Sequence, residues 1–414
     1  MNKSRTLSAR LAMAFGSFRV VSVTGARQTG KTTLVRDFCK GRQIEYVSLE
    51  DPLARAAARS DPDGWLSGFK GPLAIDEIQH VPDLFRAIKL RVDRDRRPGQ
   101  YIITGSALWL AMKSIGESLA GRVALLELWP FSHAEWVGRK PFDFGTLMED
   151  DWPAQALQKQ AAGLPSSDDW MKQAILRGGY PEPCSFRSVE QRALWFSSYL
   201  GTYLQRDVLD LVRIEHSDLY LRMIRLLAAR TGQLLNLSSV ARDLGLPQPT
   251  ARRYADWLSI TYQRFELAPY SANVGKRLVH TPKHYWSDTG MVASLLGWVT
   301  WKEVSSAGMD GALVETWVAG ELKKWSSYGK QRPLYFWRSH GGGEADFIVE
   351  QNGRVIAMEV KTGGRVDARD MKGVTECRDA LGRRFFRGIV LYGGDKVMPL
   401  GERLYAVPLR LLYG

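Results

Sequence analysis

The chain has 414 residues, of which 45% are hydrophobic and 24% charged, and this length usually exceeds what one hydrophobic core supports, so two or three domains are expected. Lysine and arginine outnumber aspartate and glutamate by 57 to 44, and the net charge of +13 favours a polyanionic partner. The sequence lacks an apolar run that could span a bilayer or serve as a secretory signal, and its three widely spaced cysteines fit a reducing cytoplasm.

The strongest signal is the glycine-rich stretch GARQTGKT, which follows a valine-rich strand and precedes an amphipathic helix. It matches the spacing G-x-x-x-x-G-K-[ST], in which two glycines let backbone N–H groups face phosphate oxygens. Lys31 would reach the β- and γ-phosphates of a nucleotide, and the Thr32 hydroxyl would bind Mg²⁺. The predicted nucleotide-binding residues are Gly25, Ala26, Arg27, Gln28, Thr29, Gly30, Lys31, Thr32 and Thr33.

A second strand of the predicted domain ends in two acidic residues. Asp76 and Glu77 follow the apolar run Leu73–Ile75, at the end of a parallel strand where ligands usually sit. Asp76 would hold Mg²⁺, and Glu77 would act as the general base toward the attacking water. A third strand ends at Thr104, which would either sense the γ-phosphate or serve only as a turn residue.

The order of these pieces resembles a bacterial and archaeal family of AAA-type ATPases, whose ATPase domain is fused to a C-terminal domain of unknown function with restriction-endonuclease-like motifs. The resemblance rests on GARQTGKTTL, LAIDEIQHVPDLF, YIITGSALW, SLAGRV, GGYPEP, YLQRDV, PKHYWSDTGMVASLLG and EADFIVEQNGRVIAMEVK. It implies that the P-loop binds ATP, and that Asp76 and Glu77 serve Mg²⁺ binding and hydrolysis. It also implies that Arg122 contacts phosphate in cis or in trans, although Ala120 stands where the family usually has proline.

The stretch LSSVARDLGLPQPTARRYADWLSI has the pattern of a helix-turn-helix. Ser238 or Ser239 would cap the first helix, and Gly245 would form the turn. Arg252 and Arg253 would project from the second helix, as in helices that enter the major groove of DNA. The strand-like segments that follow would form a wing. Both DNA binding and a purely protein-packing role remain open for this region.

A hairpin with acidic residues on both arms is predicted in GGGEADFIVEQNGRVIAMEVK, which turns at its Asn-Gly dipeptide. A two-residue turn places Asp346 opposite Glu359, and Glu344 opposite Lys361. Facing carboxylates repel each other unless they share a cation, so Asp346 and Glu359 are predicted to bind a metal ion. A solvated hairpin with alternating charges is the alternative.

The same residues resemble the D…E-x-K pattern of nucleases. In that pattern Asp346 and Glu359 bind the metal, and Lys361 orients or activates water for phosphodiester cleavage. Glu315, on the predicted helix GALVETWVAGELKKW, matches the helix glutamate of the pattern. An inactive remnant that binds nucleic acid without cutting it also remains open.

Together these features predict an α/β protein. It would contain an AAA-type P-loop ATPase domain at 1–139, a linker with short helices at 140–190, a helical winged-helix region at 191–300 and an α/β restriction-endonuclease-like domain at 301–414. We expect a Mg-dependent ATPase coupled to a nuclease-like domain that acts on or binds DNA, in a cytoplasmic homo-oligomer without membrane contact. A regulator that uses ATP as a switch and binds DNA or protein is the alternative, and a small-molecule kinase fits poorly.

Overall fold

The computed structural model describes residues 3–105, 119–202, 217–271, 281–329, 332–339 and 341–414. The chain forms two compact units. The first comprises Met1–Pro130 and Leu258–Gln263, and the second comprises Phe131–Trp257 and Arg264–Gly414. The predicted α/β class with an N-terminal parallel sheet is confirmed, and the finer division into four segments stays a prediction.

The first unit alternates strands and helices. Two of its helices begin with a proline behind an aspartate, Asp51 and Asp61, whose carboxylates accept the backbone N–H groups of the first turn. The helices are α1 (Leu7–Ser17), α2 (Lys31–Cys39), α3 (Pro52–Ser60), α4 (Pro62–Ser67) and α5 (Asp83–Arg94). The strands are β1 (Val20–Thr24), β2 (Glu45–Ser48), β3 (Leu73–Asp76), β4 (Tyr101–Thr104) and β5 (Val123–Glu127).

These five strands form a parallel sheet in the order β2-β3-β4-β1-β5. β1, β3 and β4 are buried along their whole length, as expected for strands covered on both faces. Helix α5 contributes Leu84, Phe85 and Ile88 to the core beside the sheet. Because the strands are parallel, the residues that follow β1, β3 and β4 lie at one edge of the sheet.

The second unit is rich in helices. Within the described part of the chain, no helix combines the length and the apolar character needed to cross a membrane. The helices are α6 (His133–Val137), α7 (Ala154–Ala162), α8 (Asp169–Arg177), α9 (Pro181–Ser185), α10 (Val189–Tyr199), α11 (Ser217–Ala229), α12 (Leu237–Leu244), α13 (Gln248–Ile260, whose last residues belong to the first unit), α14 (Thr289–Leu296), α15 (Trp301–Ser306), α16 (Asp310–Tyr328) and α17 (Lys372–Leu381). Short 3-10 helices lie at Ile78–His80 in the first unit and at Phe144–Met148, Gly382–Arg384 and Leu409–Tyr413 in the second.

Nine described strands of the second unit form one mixed sheet, in the order β13-β14-β12-β11-β10-β9-β7-β8-β6. Strand β7 pairs antiparallel with β8 and parallel with β9, so the strands predicted for a wing continue directly into the C-terminal sheet. The strands are β6 (Gln233–Leu234), β7 (Arg264–Pro269), β8 (Lys283–Trp286), β9 (Leu334–Arg338), β10 (Glu344–Gln351), β11 (Arg354–Lys361), β12 (Phe385–Tyr392), β13 (Met398–Gly401) and β14 (Leu404–Pro408).

The β10–β11 hairpin turns at the predicted dipeptide. Asn352 and Gly353 have φ angles of 52° and 76°, the left-handed pair that a type I′ turn requires. The predicted register is confirmed from the turn as far as the pair Phe347 and Met358. The Asn-Gly turn therefore sets the pairing of most of the hairpin.

The β10–β11 ladder ends at the pair Phe347 and Met358, so it does not include the predicted pairs Asp346–Glu359 and Glu344–Lys361. On its other side, the pairing of β10 with β9 shifts register between Ala345 and Ile348. One carboxylate oxygen of Asp346 accepts the backbone N–H of Val360 at 2.9 Å. The Asp346 carboxylate therefore contacts the backbone of β11 at Val360, beyond the last pair of the ladder.

The helix-turn-helix segment contains the two predicted helices, α12 and α13. Its first cap was predicted wrongly: the side chain of Asn236 accepts the N–H of Ser239 at 2.9 Å, so Asn236 and neither serine is the N-cap. Gly245 ends α12 with a φ of 65°, a conformation that glycine adopts without strain. The segment is followed by β7.

Candidate nucleotide and carboxylate sites

The loop between β1 and α2 has the backbone curl of a phosphate-binding loop. Gly25 and Gly30 have φ angles of 150° and 94°, and Gln28 between them has a φ of 59°. A Cβ atom at Gly25 would collide with the carbonyl oxygen of Leu128, so the loop passes too close to its neighbour for a larger residue there. The two glycines therefore fix the path that points the loop toward the N-terminus of α2.

Lys31 lies buried under this loop. Its Nζ donates to the carbonyl oxygens of Ala26 at 2.9 Å and Gly25 at 3.2 Å. Burial lowers the pKa of Lys31 to about 8, against the attraction of Glu77 and Asp76. The ammonium therefore lies inside the curve of the loop, where a phosphate oxygen would be a stronger acceptor than a carbonyl.

Asp76 is the centre of a hydrogen-bonded group at the same edge of the sheet. One of its oxygens accepts the Thr32 hydroxyl at 2.9 Å and the Tyr46 hydroxyl at 2.7 Å. Its other oxygen accepts the Thr104 hydroxyl. The structure thus brings the predicted residues Thr32, Asp76 and Thr104 together. A threonine hydroxyl beside a carboxylate fits Mg²⁺, which takes few protein ligands and keeps its remaining positions for water and phosphate.

Glu77 stands next to this group in a constrained conformation. Its φ of 55° is unusual for a residue with a side chain, and its backbone N–H donates to the Thr104 hydroxyl at 3.3 Å. The Gln79 amide donates to its carboxylate. A strained residue held from two sides at a strand end is a common feature of functional sites.

Three residues that contact this region were not predicted. Tyr46 reaches Asp76 from β2, and burial together with the Asp76 hydrogen bond raises its pKa. Arg5 donates to the carbonyl oxygen of Thr29 at 2.9 Å, and Tyr262 hydrogen-bonds to the hydroxyl of Thr24 at 2.9 Å. Each lies far from the loop in sequence and outside any recognisable motif, so the sequence carries no local signal for it.

Arg122 lies away from the P-loop. It forms a two-point ion pair with Asp93, with distances of 2.5 Å and 2.9 Å. It directly precedes β5, at the edge of the parallel sheet where strands begin, whereas the P-loop lies where β1 ends. The structure therefore does not bring Arg122 to the nucleotide site of its own chain, and a role in trans stays a proposal.

The remaining predicted loop residues occupy different environments. Ala26 and Thr29 are buried, and the Thr29 hydroxyl donates to the Ala26 carbonyl at 2.8 Å. Arg27 and Thr33 are exposed. Ala26 and Thr29 therefore hold the shape of the loop, while Arg27 and Thr33 leave their side chains at its surface.

The predicted nuclease residues lie in a buried ionic cluster of the second unit. At its centre is Lys283 of β8, which was not predicted and whose side chain is only 4% exposed. Its Nζ lies 2.9 Å from the Glu315 carboxylate and 3.3 Å from the Asp346 carboxylate, and it also pairs with Glu344. The only hint in the sequence is one lysine at the start of an otherwise aromatic strand.

Glu359 and Lys361 form a second ion pair beside the Lys283 cluster, with 2.9 Å between Lys361 Nζ and Glu359 Oε1. Burial and repulsion by Asp346 raise the pKa of both Glu315 and Glu359 above the usual range. The oxygen Oε2 of Glu359 is buried and has no hydrogen-bond partner in the described structure. The structure therefore brings Glu315, Asp346, Glu359 and Lys361 into one cluster, as the D…E-x-K resemblance implies.

A divalent metal does not fit this cluster as it stands. One oxygen of Asp346 faces Lys283 and the other accepts the Val360 N–H, which leaves Glu359 Oε2 as the one carboxylate oxygen of the predicted metal pair that has no partner. In the described ranges, no group of three or more acidic, histidine or cysteine side chains is arranged to hold a metal ion. Mg²⁺ requires several oxygen ligands close to octahedral geometry.

The two predicted DNA-contacting arginines are both exposed on α13. Val240, Tyr254 and Leu258 of the two helices are buried. The Arg253 guanidinium lies 5.9 Å from the centroid of the Tyr254 ring. The exposure of the two arginines leaves them able to meet a charged partner.

The parallel sheet order, the P-loop after β1 and the acidic end of β3 define a P-loop ATPase fold. Residues 17–137 match the family model of an AAA domain, so this part of the chain is an AAA-type ATPase domain. Residues 168–302 match a domain of unknown function, DUF8612, and residues 310–412 match another, DUF4143.

The chain is 34% identical over 406 residues to Uncharacterized protein Rv2008c of Mycobacterium tuberculosis and to Uncharacterized protein Mb2031c of Mycobacterium bovis. Each alignment covers 98% of this chain and 83% of the relative. The chain therefore belongs to the same family as these mycobacterial proteins.

Solved structures show weaker similarity. The Walker-type ATPase PABY2304 of Pyrococcus abyssi is 16% identical with a TM-score of 0.41, covering 70% of this chain and 94% of that one. The RuvB Holliday junction branch migration motor of Thermotoga maritima is 16% identical with a TM-score of 0.29, covering 64% and 89%. The assignment of the first unit rests on its own sheet order and on the AAA family model.

Proposed function

We propose that the protein is a Mg-dependent ATP hydrolase whose nucleotide state controls the binding of DNA by the second unit. The proposal of ATP hydrolysis is supported by the residues that are hydrogen-bonded to Asp76 and lie beside it. This group gathers the Thr32 and Thr104 hydroxyls beside a buried P-loop lysine and a constrained glutamate. These are the residue types that phosphoryl transfer to water requires, and they meet at one edge of the sheet.

Each residue of this group has a role in the proposed reaction. The N–H groups of the P-loop hold the phosphate oxygens, and Lys31 exchanges the Gly25 and Ala26 carbonyls for the β- and γ-phosphates. Thr32 and Asp76 would hold Mg²⁺, which supplies charge neutralisation at the phosphates. Glu77 accepts the proton of the attacking water, while Thr104 fixes the Glu77 backbone through the hydrogen bond already present.

Replacing Glu77 by glutamine tests this assignment. Glu77→Gln is expected to slow ATP hydrolysis roughly 10²- to 10⁴-fold, because an amide cannot accept the proton, while ATP binding is kept. Phosphate release and equilibrium binding of a fluorescent ATP analogue would be measured side by side. Glu50→Gln, an exposed glutamate just after β2, is the control. Hydrolysis at the normal rate in Glu77→Gln would remove Glu77 from the mechanism.

The helix-turn-helix segment is the proposed DNA-contacting element. This proposal is supported by the exposed pair Arg252 and Arg253 on α13 and by the net charge of +13 of the chain. Contacts to phosphate release counterions, so binding through these residues weakens as salt increases. Protein binding through the same surface is the alternative.

Reversing both charges tests this part. Arg252→Glu with Arg253→Glu is expected to reduce the slope of log K against log salt by about 2 for duplex DNA. The matched control is Arg383→Glu with Arg384→Glu, an adjacent exposed pair in the 3-10 helix Gly382–Arg384. Binding would be measured by fluorescence anisotropy across a salt series. An equal effect of both double variants would point to general charge and away from the helix-turn-helix.

Metal-dependent cleavage by the second unit is the other candidate activity. The observation in its favour is the buried, unpartnered oxygen of Glu359, in a cluster that also contains Glu315, Asp346 and Lys361. The ion pairs of Lys283 oppose it, because they occupy oxygens that the metal would need. We therefore favour a regulator that binds DNA without cutting it.

We further propose that the protein acts in the cytoplasm as a homo-oligomer. In that assembly Arg122 would contact the nucleotide phosphates of a neighbouring subunit.

A further inference from the structure

The buried lysine of β8 has the contacts of a bound cation. Its ammonium has three N–H donors, and three carboxylates surround it: Glu315 at 2.9 Å, Asp346 at 3.3 Å, and Glu344. The ring of Phe336 lies 5.9 Å from Nζ. Each donor therefore has an acidic partner, and the side chain is closed off from solvent.

The same carboxylates are further fixed by neutral donors. The Tyr285 hydroxyl donates to Glu315 at 2.6 Å, and the Val360 N–H donates to Asp346 at 2.9 Å. Tyr285 lies two residues after Lys283 on β8, so one strand supplies both the cation and a hydrogen-bond donor. The acids come from α16 and β10, so the cluster joins a helix and two strands of the second unit.

The position of the Lys283 ammonium leaves little room for a metal ion. It lies among three carboxylates and occupies oxygens that a divalent cation would use. A positive charge at this place also repels a divalent cation.

We propose that the Lys283 ammonium takes the place of a divalent metal in this carboxylate cluster, so that the cluster is an internal ion-pair network that does not bind Mg²⁺. The inference does not depend on ATP hydrolysis by the first unit. It assigns Glu315 and Asp346 of the D…E-x-K pattern to holding α16, β8 and β10 together. Both carboxylate oxygens of Asp346 have partners in this network, one in Lys283 and the other in the Val360 N–H.

Counting bound Mn²⁺ on the full chain tests the proposal. Mn²⁺ alone, without nucleotide, would be titrated into the unaltered protein, Glu359→Gln and Lys283→Met, with bound and free ion separated by electron paramagnetic resonance. Glu359→Gln is expected to bind the same number of ions as the unaltered protein. Lys283→Met is expected to bind one more ion per chain, because the three carboxylates lose their cation and can reorient around a metal ion, while the methionine keeps a similar side-chain length.

A second buried lysine provides the matched control. Lys324 pairs with Glu321 at 3.0 Å in the same unit, and the two side chains are 10% and 7% exposed. Lys324→Met removes a buried charge in the same way but releases one ion-paired carboxylate, whereas Lys283→Met releases three. It is expected to gain no ion. A gained ion in Lys283→Met alone therefore reports on the cluster.

Three results would overturn the proposal. The first is an ion on the unaltered protein that Glu359→Gln removes, since that ion would lie in the cluster beside Lys283. The second is a folded Lys283→Met that gains no ion, since its acids would then be unfit for metal even without the lysine. The third is an equal gain in Lys324→Met. If Lys283→Met does not fold, the comparison of the unaltered protein with Glu359→Gln still tests whether an ion binds in the cluster.

Discussion

ATP hydrolysis by a Lys31→Ala variant is expected to fall at least about 100-fold below that of the unaltered chain. The Lys31 ammonium is held inside the P-loop, 2.9 Å from the carbonyl oxygen of Ala26, and is nearly free of solvent. An alanine methyl group cannot reach the phosphates, so charge that develops on the γ-phosphate during transfer loses its nearest fixed cation. Phosphate release with Mg-ATP and binding of an ATP analogue would both be measured.

The matched control for this variant lies at the other end of the same helix. Lys40 directly follows the other end of α2, its side chain is 75% exposed, and it pairs with Asp37 at 2.8 Å. An exposed pair of this kind contributes little to stability, so Lys40→Ala is expected to keep hydrolysis within about twofold. If Lys31→Ala is folded by circular dichroism and hydrolyses ATP at the normal rate, the nucleotide site has been placed wrongly.

Replacement of Asp288 is expected to cause a large loss of stability in the second unit. Asp288 caps α14, and its buried carboxylate accepts the N–H of Met291 at 2.8 Å and the N–H of Gly179 at 2.6 Å. Gly178 lies so close that a Cβ atom there would collide with this carboxylate. Asp288→Ala leaves two backbone donors without an acceptor, one buried and one partly buried, which lowers the free energy of unfolding by about 3–5 kcal/mol.

The control is an exposed cap in the same unit. Asn236 caps α12 by accepting the N–H of Ser239, and Asn236→Ala is expected to lower the free energy of unfolding by about 1 kcal/mol. Urea unfolding followed by far-ultraviolet circular dichroism would compare the two. If Asp288→Ala costs no more than Asn236→Ala, the bond to Gly179 does not hold the loop before α9 in place.

The P-loop was predictable because its phosphate-binding residues all lie within one motif of eight consecutive residues. Lys31 and Thr32 reach their positions through local backbone curvature, and Asp76 follows from the rule that parallel strands end at one edge. Tyr46 and Arg5 belong to the same site but arrive from a neighbouring strand and from the chain before α1. Their contacts depend on tertiary packing, which no short pattern encodes.

The turn of the β10–β11 hairpin predicts part of its strand pairing but not all of it. The Asn-Gly turn predicted the pairing correctly as far as Phe347 and Met358. The ladder with β11 ends at that pair, before Asp346, and the alternation of residues does not predict where a ladder ends. Lys283 was missed for a related reason: it comes from a strand that lies more than sixty residues earlier in the chain, and only the fold brings it to the acids.

The short segment Leu258–Gln263 belongs to the first unit, although the residues on both sides of it belong to the second. Within the first unit its Tyr262 bonds to Thr24 at the end of β1 and packs its ring edge against Trp129, with 5.2 Å between centroids. The polypeptide therefore passes between the units three times. A break between Pro130 and Phe131 would therefore remove Tyr262 from Thr24, although both belong to the first unit.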